Sequence, residues 1–431
     1  MQASGLTTHI KSKPVWIDPS PRPVNLKLSQ QPDEVDVAII GGGYTGLSAA
    51  RILAKQDISV AVLEAKTLGW GASSRNGGIA IPGNRQSMQF VMRKYGEKLA
   101  HEFWHTSIEA IDLLGEIVAD DSIQCHFARK GHIHLAAKPS HFATLRKKSQ
   151  WYKYRLNYKL PIISPNELQA EIGSKVFHGG LVEEWSASLH PTKFLYGLAH
   201  TVTEHGGLLC ENKTVSQITP YKKQFKIQTR HGTTLAHQVI VATNGYTNEL
   251  LPELKTRIVP TGSYVIVTEP LPPMLLNKIS PNGRSFYDSL RHPHYFRLTP
   301  NGRLLFGGYP ELTTNLSTKT SAERLYAKMV QIFPDLTGIP ITHSWTGQIG
   351  STTDLMPHIG NLKGIHYALG YSGLGVSMAT YLGSEIGKLI SGQITRSPFK
   401  DIGHPNRHPY KNYRWFWTLK AKYDRLMDKL T

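Results

Sequence analysis

The stretch from Val35 to Gly78, VDVAIIGGGYTGLSAARILAKQDISVAVLEAKTLGWGASSRNGG, decides the fold of this chain. Its apolar run Val37–Ile40 meets Gly41-x-Gly43-x-x-Gly46, passes into a helix-like segment and returns to an apolar run that stops at Glu64. That order predicts a strand, a tight turn, a helix and a second parallel strand. Gly41 permits the sharp turn out of the strand, Gly43 lets a pyrophosphate approach the backbone, and Gly46 lets the helix pack closely on the sheet. The helix start at Tyr44 and Thr45 turns N–H groups and a positive dipole end toward the phosphates. Glu64 lies 23 residues beyond Gly41, where an acidic side chain accepts adenosine ribose hydroxyls. A dinucleotide site follows, with NAD and FAD both open.

Composition sets the outer bounds. With 431 residues, 40% hydrophobic and 19% charged, the chain has the make-up of a globular protein with about two or three domain-sized cores. No apolar run reaches the roughly 20 residues of a membrane helix. Residues 1–34 carry Pro14, Pro19, Pro21, Pro23 and Pro32 and no apolar signal core, so they read as an extended lead-in to a cytoplasmic protein. Two cysteines, Cys125 and Cys210, make no disulfide framework, and the histidines form no metal-binding cluster, so no metal is expected.

Lys and Arg number 49 against 31 Asp and Glu, a net charge of +18. No nucleic-acid motif accompanies the excess, so it reads as a basic solvated surface. The tail from Lys411 to Thr431 places Trp415, Phe416 and Trp417 among basic residues. It suits either peripheral contact with an anionic membrane or docking on the protein's own surface.

Further along, apolar spacing predicts a helix over Leu99–Val118, strands at Ile133–Ala136 and Pro161–Ile163, and a helix over Thr192–Glu204 opened by Pro191. Strands are expected at Leu208–Ile218, Phe225–Thr229, Gln238–Ala242, Tyr264–Val267, Tyr295–Leu298 and Leu304–Phe306. A second glycine turn, Gly370-Tyr-Ser-Gly-Leu-Gly375, precedes a helix to about Ile390. Its N-terminus suits the negative charge that a reduced flavin accumulates at one edge. The order implies a parallel α/β domain built from separated segments, with a mostly antiparallel domain inserted.

Taken together, DVAIIGGGYTGLSAA, GWGASSRNGG, SLHPTKFLYGLA, VIVATNGYTNE, YFRLTPNGRLLFGGY, SWTGQIGSTTDLMPHIG and GYSGLGV resemble the D-amino-acid oxidase/glycine oxidase-like superfamily of FAD-dependent oxidoreductases. Within it they are most similar to the branch that oxidises γ-glutamylputrescine. The resemblance implies a glutathione-reductase-type Rossmann-like FAD domain over 35–100, 165–255 and 341–398. It implies an α+β substrate domain over 101–164 and 256–340, with 399–431 as a basic aromatic tail. It places Gly41, Gly43, Tyr44, Thr45 and Gly46 at the pyrophosphate and Glu64, Ala65 and Val215 at the adenosine end. Ala72, Ser73, Arg75, Asn76, Gly77 and Gly78 would wrap the flavin, with Thr243, Gly373, Leu374, Gly375 and Val376 completing the site. Tyr295, Arg297 and Trp345 would face the substrate. Where relatives attach flavin covalently, Arg75 stands instead of a histidine, and no cysteine follows Cys210, so the FAD is expected to be non-covalent.

The implied reaction is oxidation of a small amine, with hydride transfer to the flavin and hydrolysis of the imine. The resemblance implies carboxylate-binding arginines around Gln348-Ile349-Gly350 and Tyr371-Ser372-Gly373, and none stands there, which disfavours a simple α-amino acid. The resemblance to sarcosine oxidases would place an oxygen-activating lysine between His292 and Thr313, where none lies, so O₂ and a quinone both stand as electron acceptors. The positive charge would repel a free polyamine, and a γ-glutamyl cap would offset this. Flavin chemistry on a tRNA or partner protein, oxidation of an amino acid or N-methyl amino acid, and a non-catalytic FAD subunit are the alternatives.

Overall fold

The computed structural model describes residues 10–18, 22–309, 315–400 and 402–405, with isolated positions 419, 423 and 427 beyond. The aromatic triplet Trp415–Trp417 lies outside the described residues.

Two eight-stranded sheets organise the chain. In the first, Glu34–Ile40 pairs in parallel with Val60–Leu63 on one side and with Gly232–Val241 on the other. Leu208–Cys210 and Ile365–Leu369 extend it, also in parallel. The hairpin Val215–Tyr221 and Gln224–Thr229, together with His358–Leu362, add antiparallel margins. The central strand is apolar on both faces because helices cover one side and the hairpin and its neighbours cover the other.

The helix Tyr44–Ala54 follows the first strand at the closest range its residues allow. A Cβ on Gly46 would sit 2.0 Å from the Gly41 carbonyl oxygen, so only glycine lets this turn close. Gly41 has φ +109°, which glycine alone adopts without strain. The C-terminal helix Gly375–Ile390 packs on the same helix, and there Gly383 meets the Thr45 backbone.

The second sheet runs Ile341–Ser351, Val259–Pro270, Arg303–Gly308, Tyr295–Leu298, Ser285–Asp288, His132–Leu135, Gly180–Glu183, Ile162–Ile163. Among these eight described strands only the Ser285–Asp288 and His132–Leu135 pair is parallel. This α/β and α+β pairing is the expected fold class, with two differences in detail. Gly180–Glu183 and Ile341–Ser351, grouped by the sequence reading with the cofactor segments, belong to the second sheet. Ile341–Ser351 pairs with Val259–Pro270 along most of its length. The single strand expected over Leu208–Ile218 is two, Leu208–Cys210 and Val215–Tyr221. Asn212 breaks it with φ +57°, and Asn212 and Lys213 donate backbone N–H bonds to Lys66 and Glu64.

One buried ion cluster fastens the first helix to the long helix Glu97–Asp120. The Asp121 carboxylate, 2% exposed, accepts from Arg51 Nη2 at 2.9 Å and from Lys55 Nζ at 2.6 Å. Burial pushes Asp121 up, but the hydrogen bonds and charges of Arg51 and Lys55 outweigh it and hold the carboxyl below its ordinary value. A depressed folded pKa supplies stability that is present above the ordinary carboxylate range and lost as pH falls through the folded value. Asp121→Asn leaves Arg51 buried without its anion and should cost about 3 kcal/mol at pH 7. Calorimetry should show a lowered melting temperature, with the gap to the unsubstituted protein narrowing in acid. An unchanged melting temperature at pH 7 would rule the cluster out as a support.

Candidate active site

A cavity of about 280 Å³ opens at the carboxyl ends of the parallel strands. The Gly41–Thr45 turn, Glu64–Lys66, Lys213–Val215 and Ala242–Asn244 line it, with Gly373, Gly375 and Val376 from the second glycine turn. Glu64 is held by the backbone: Oε2 accepts from Gly42 N at 2.9 Å and Oε1 from Lys66 N at 2.8 Å. Ser73 Oγ accepts from Tyr44 N at 3.0 Å, and Thr45 Oγ1 bonds Tyr371 Oη at 2.6 Å, tying the two glycine turns together. The first helix starts at a buried N-terminus with no acidic side chain in its first turn. A positive dipole end without an internal anion beside it suits a pyrophosphate.

A second cavity of about 600 Å³ adjoins the first. Ala72, Asn76, Gln348, Ile349, Gly373 and Val376 line both. Arg75, Gly77, Leu374 and Tyr295 line only the second, in which Tyr295 Oη bonds Ser263 Oγ at 3.0 Å. Burial raises the Tyr295 phenol above its ordinary range, so it stays protonated.

The loop between the cavities is held by its carbonyls. Trp345 Nε1 donates to Arg75 O at 2.9 Å, Trp16 Nε1 to Asn76 O at 2.8 Å, and Arg297 Nε to Gly77 O at 2.7 Å. Three successive carbonyl oxygens are thus captured by three buried side chains. Arg297 also donates from Nη2 to Leu189 O at 2.6 Å and lies 5.2 Å from the Trp16 ring centroid. Within the loop, Asn76 Nδ2 donates to Ala72 O and Ser73 O, while its Oδ1 accepts from Gly78 N at 2.8 Å.

The substrate-facing placement expected for Arg297 and Trp345 is therefore corrected. Neither lines either cavity, because their polar atoms are spent on loop carbonyls. Gly46 and Gly78 also stand outside both linings, in the packing behind them. The remaining expected residues, Thr243 and Val215 among them, line one cavity or both.

Sequence reasoning missed Trp16. Residues 10–18 are no loose lead-in, since Lys11 bridges to Thr342 and Ser344, and Val15 and Trp16 pack with Val265, Leu305 and Trp345. The signal was present as Val15-Trp16-Ile17, an apolar triplet in a polar stretch. Gln348, Ile349 and Tyr371, singled out in the sequence only as positions without arginine, line the first cavity, while Lys213 and Thr214 there, and His132, His134 and Lys148 at the second, were missed.

Fold and site together are those of a dinucleotide-binding protein, with a cavity at the glycine turn that abuts a second, larger one. The family described as "FAD dependent oxidoreductase" (DAO) matches residues 36–389, and the chain belongs to it. It is 32% identical to the probable oxidoreductase OrdL of Haemophilus influenzae, covering 93% of each chain. It is also 32% identical to the γ-glutamylputrescine oxidoreductase of Escherichia coli, over 92% of this chain and 93% of that one. Among solved structures, glycine oxidase from Geobacillus kaustophilus superimposes with a TM-score of 0.75 at 20% identity, covering 87% of this chain and 100% of that one. FAD is the cofactor, and the chain is an FAD-dependent oxidoreductase.

Arg297 is a positioning residue, and burial lowers its guanidinium pKa to about 10. Arg297→Met removes two charge-assisted bonds of about 1.5–3 kcal/mol each. FAD affinity should fall about a hundredfold, read as lost flavin absorbance after gel filtration with far-ultraviolet circular dichroism unchanged. Full flavin retention would contradict the role.

Proposed function

We propose that this enzyme oxidises the C–N bond of a small amine whose far end is acylated by a carboxylate-bearing group, with a γ-glutamylated diamine as the best-supported substrate. The observation that carries this reading is the charge of the second cavity. Arg85, Lys147 and Lys148 line it, with Arg75, whose guanidinium is bonded to the Trp70 and Thr346 carbonyls, against a single lining carboxylate, Asp288. That carboxylate is turned inward, accepting from Leu290 N and His294 N and from His294 Nδ1 at 2.8 Å. A free diamine would meet uncompensated like charge, whereas an anionic cap complements it. The similarity to the Escherichia coli enzyme supports the same choice.

In the proposed assignment the Gly41–Gly46 turn and helix hold the pyrophosphate, and Glu64, Ala65 and Val215 take the adenosine end. The loop from Ala72 to Gly78 and the turn from Gly373 to Val376 flank the ring. FAD bound there supplies the hydride acceptor. The protein's share is placement: the shared wall presents the amine's α-carbon to the first cavity, and Tyr295 with its apolar neighbours excludes water. The α-carbon loses a hydride, the nitrogen lone pair stabilises the developing cation, and water hydrolyses the resulting imine to an aldehyde and ammonia. Because a protonated amine has no free lone pair, the neutral form reacts. The electrons pass on to O₂ or a quinone.

Anaerobic addition of γ-glutamylputrescine should bleach the flavin, with rate rising with pH through the pKa of the bound amine. Free putrescine and glycine should bleach it far more slowly. A flat pH profile, or faster bleaching by glycine, would contradict the proposal. Neither cysteine lines either cavity, consistent with non-covalent FAD. Acid precipitation should therefore release the yellow colour to the supernatant, and colour in the pellet would refute it.

A further inference from the structure

The part of the second cavity that is not shared with the first carries an arrangement the flavin chemistry does not use. His132 and His134 occupy alternate positions of one strand and therefore face the same way. On the neighbouring strand Tyr287 pairs with His134, and its ring stacks on both imidazoles, with centroids 4.6 Å from His132 and 4.1 Å from His134. The helix Pro139–Leu156 closes this wall with Thr144, Lys148 and Tyr152, spaced one turn apart on one face. The Lys148 ammonium stands 5.4 Å from the Tyr152 ring centroid.

These groups are short of an anion. His132 is 1% exposed and its Nδ1 bonds Ser285 Oγ at 2.9 Å, yet its buried Nε2 has no partner. The buried Nδ1 of His134 has none either. Among the described residues no carboxylate lies within ion-pair distance of Lys148, Lys147 or Arg85. Glu183, whose charge acts on Lys148 and which pairs with His132 across the strands, makes no ion pair with Lys148, and its Oε1 accepts from Tyr158 Oη at 2.6 Å and Trp185 N at 3.1 Å. Burial pushes Lys148 below its ordinary pKa and His132 down to about 3, so both imidazoles are neutral donors or acceptors rather than cations. A partly buried ammonium and an unpartnered, buried imidazole nitrogen on the wall of one cavity, over a stacked aromatic floor, suit one anionic, hydrogen-bond-accepting group.

Building on the amine-oxidation reading, we propose that Lys148, with the Nε2 of His132, forms a subsite for a carboxylate on the non-reacting end of the substrate. The enzyme is then selective for ω-carboxyacyl amines over amines with a neutral acyl cap. The α-amino group of a glutamyl cap is not required by this site. Lys147 and Arg85, lining the same cavity, add long-range attraction.

The test compares N-glutarylputrescine with N-butyrylputrescine, which differ only in the carboxylate, on the FAD-loaded enzyme. Wild type should prefer the glutaryl compound at least ~30-fold in kcat/KM, equivalent to about 2 kcal/mol. Lys148→Met should erase most of that preference through KM, and Lys148→Arg should retain it within a few-fold. Calorimetric titration with glutarate should show binding to wild type and at least ~tenfold weaker binding to Lys148→Met. Equal use of the two acylamines by wild type, a comparison that needs no variant, would overturn the subsite while leaving amine oxidation standing. A preference undiminished in Lys148→Met would do the same. Glutarate binding that depends on Lys148, with neither amine bleaching the flavin, would uphold the subsite and refute the amine reading.

Discussion

The capture of three consecutive carbonyls, those of Arg75, Asn76 and Gly77, is the constraint on which the rest of the site depends. A loop of glycine and small polar residues has no packing of its own to set its position. Here its backbone acceptors are satisfied by donors that are themselves immobile: two indoles and a guanidinium in a core of Val265, Val267 and Leu305. Because these donors come from the N-terminal segment and two strands of the second sheet, the loop is placed relative to that sheet. Asn76 and Tyr44, through Ser73, place it relative to the first. Two sheets with separate cores are thereby registered across one strip of backbone, and both cavities share that strip as a wall.

The chain's electrostatics acquire a local meaning in this frame. A net charge of +18 spread over a surface says little about function. Three cationic side chains around one cavity, against one carboxylate already bonded to its own loop, say more. Field lines in a concave, low-dielectric space are focused, so charge there selects among substrates in a way the same charge in solvent does not. On the proposed reading, the absence of arginine at 348–350 and 371–373 and the cations elsewhere in the cavity fit together, because the anion recognised would be displaced from the reacting carbon.

Much of the fold was legible because its signals are local. The turn at Gly41, the helix behind it, the strand ending at Glu64 and the glycine turn before Gly375 each follow from steric and periodic rules acting within a few residues. Val215 was placed at the cofactor although the break before it at Asn212 was not foreseen. Arg297 and Trp345 were legible as site residues but not in their roles. A sequence shows that a guanidinium and an indole stand on strands near the loop. It does not show whether they turn toward a ligand or toward a carbonyl oxygen.

By itself, then, the sequence determined the dinucleotide turn, the class of fold and the family, since these rest on backbone geometry dictated by glycine spacing and apolar period. Only the tertiary structure decided which side chains meet. Trp16 reaches Asn76 across 60 positions, Arg297 reaches Gly77 across 220, and His132, Tyr287 and Lys148 converge from three separate segments. Such meetings depend on strand order and on how two sheets dock, and strand order is set by the burial of whole faces rather than by any short run of residues.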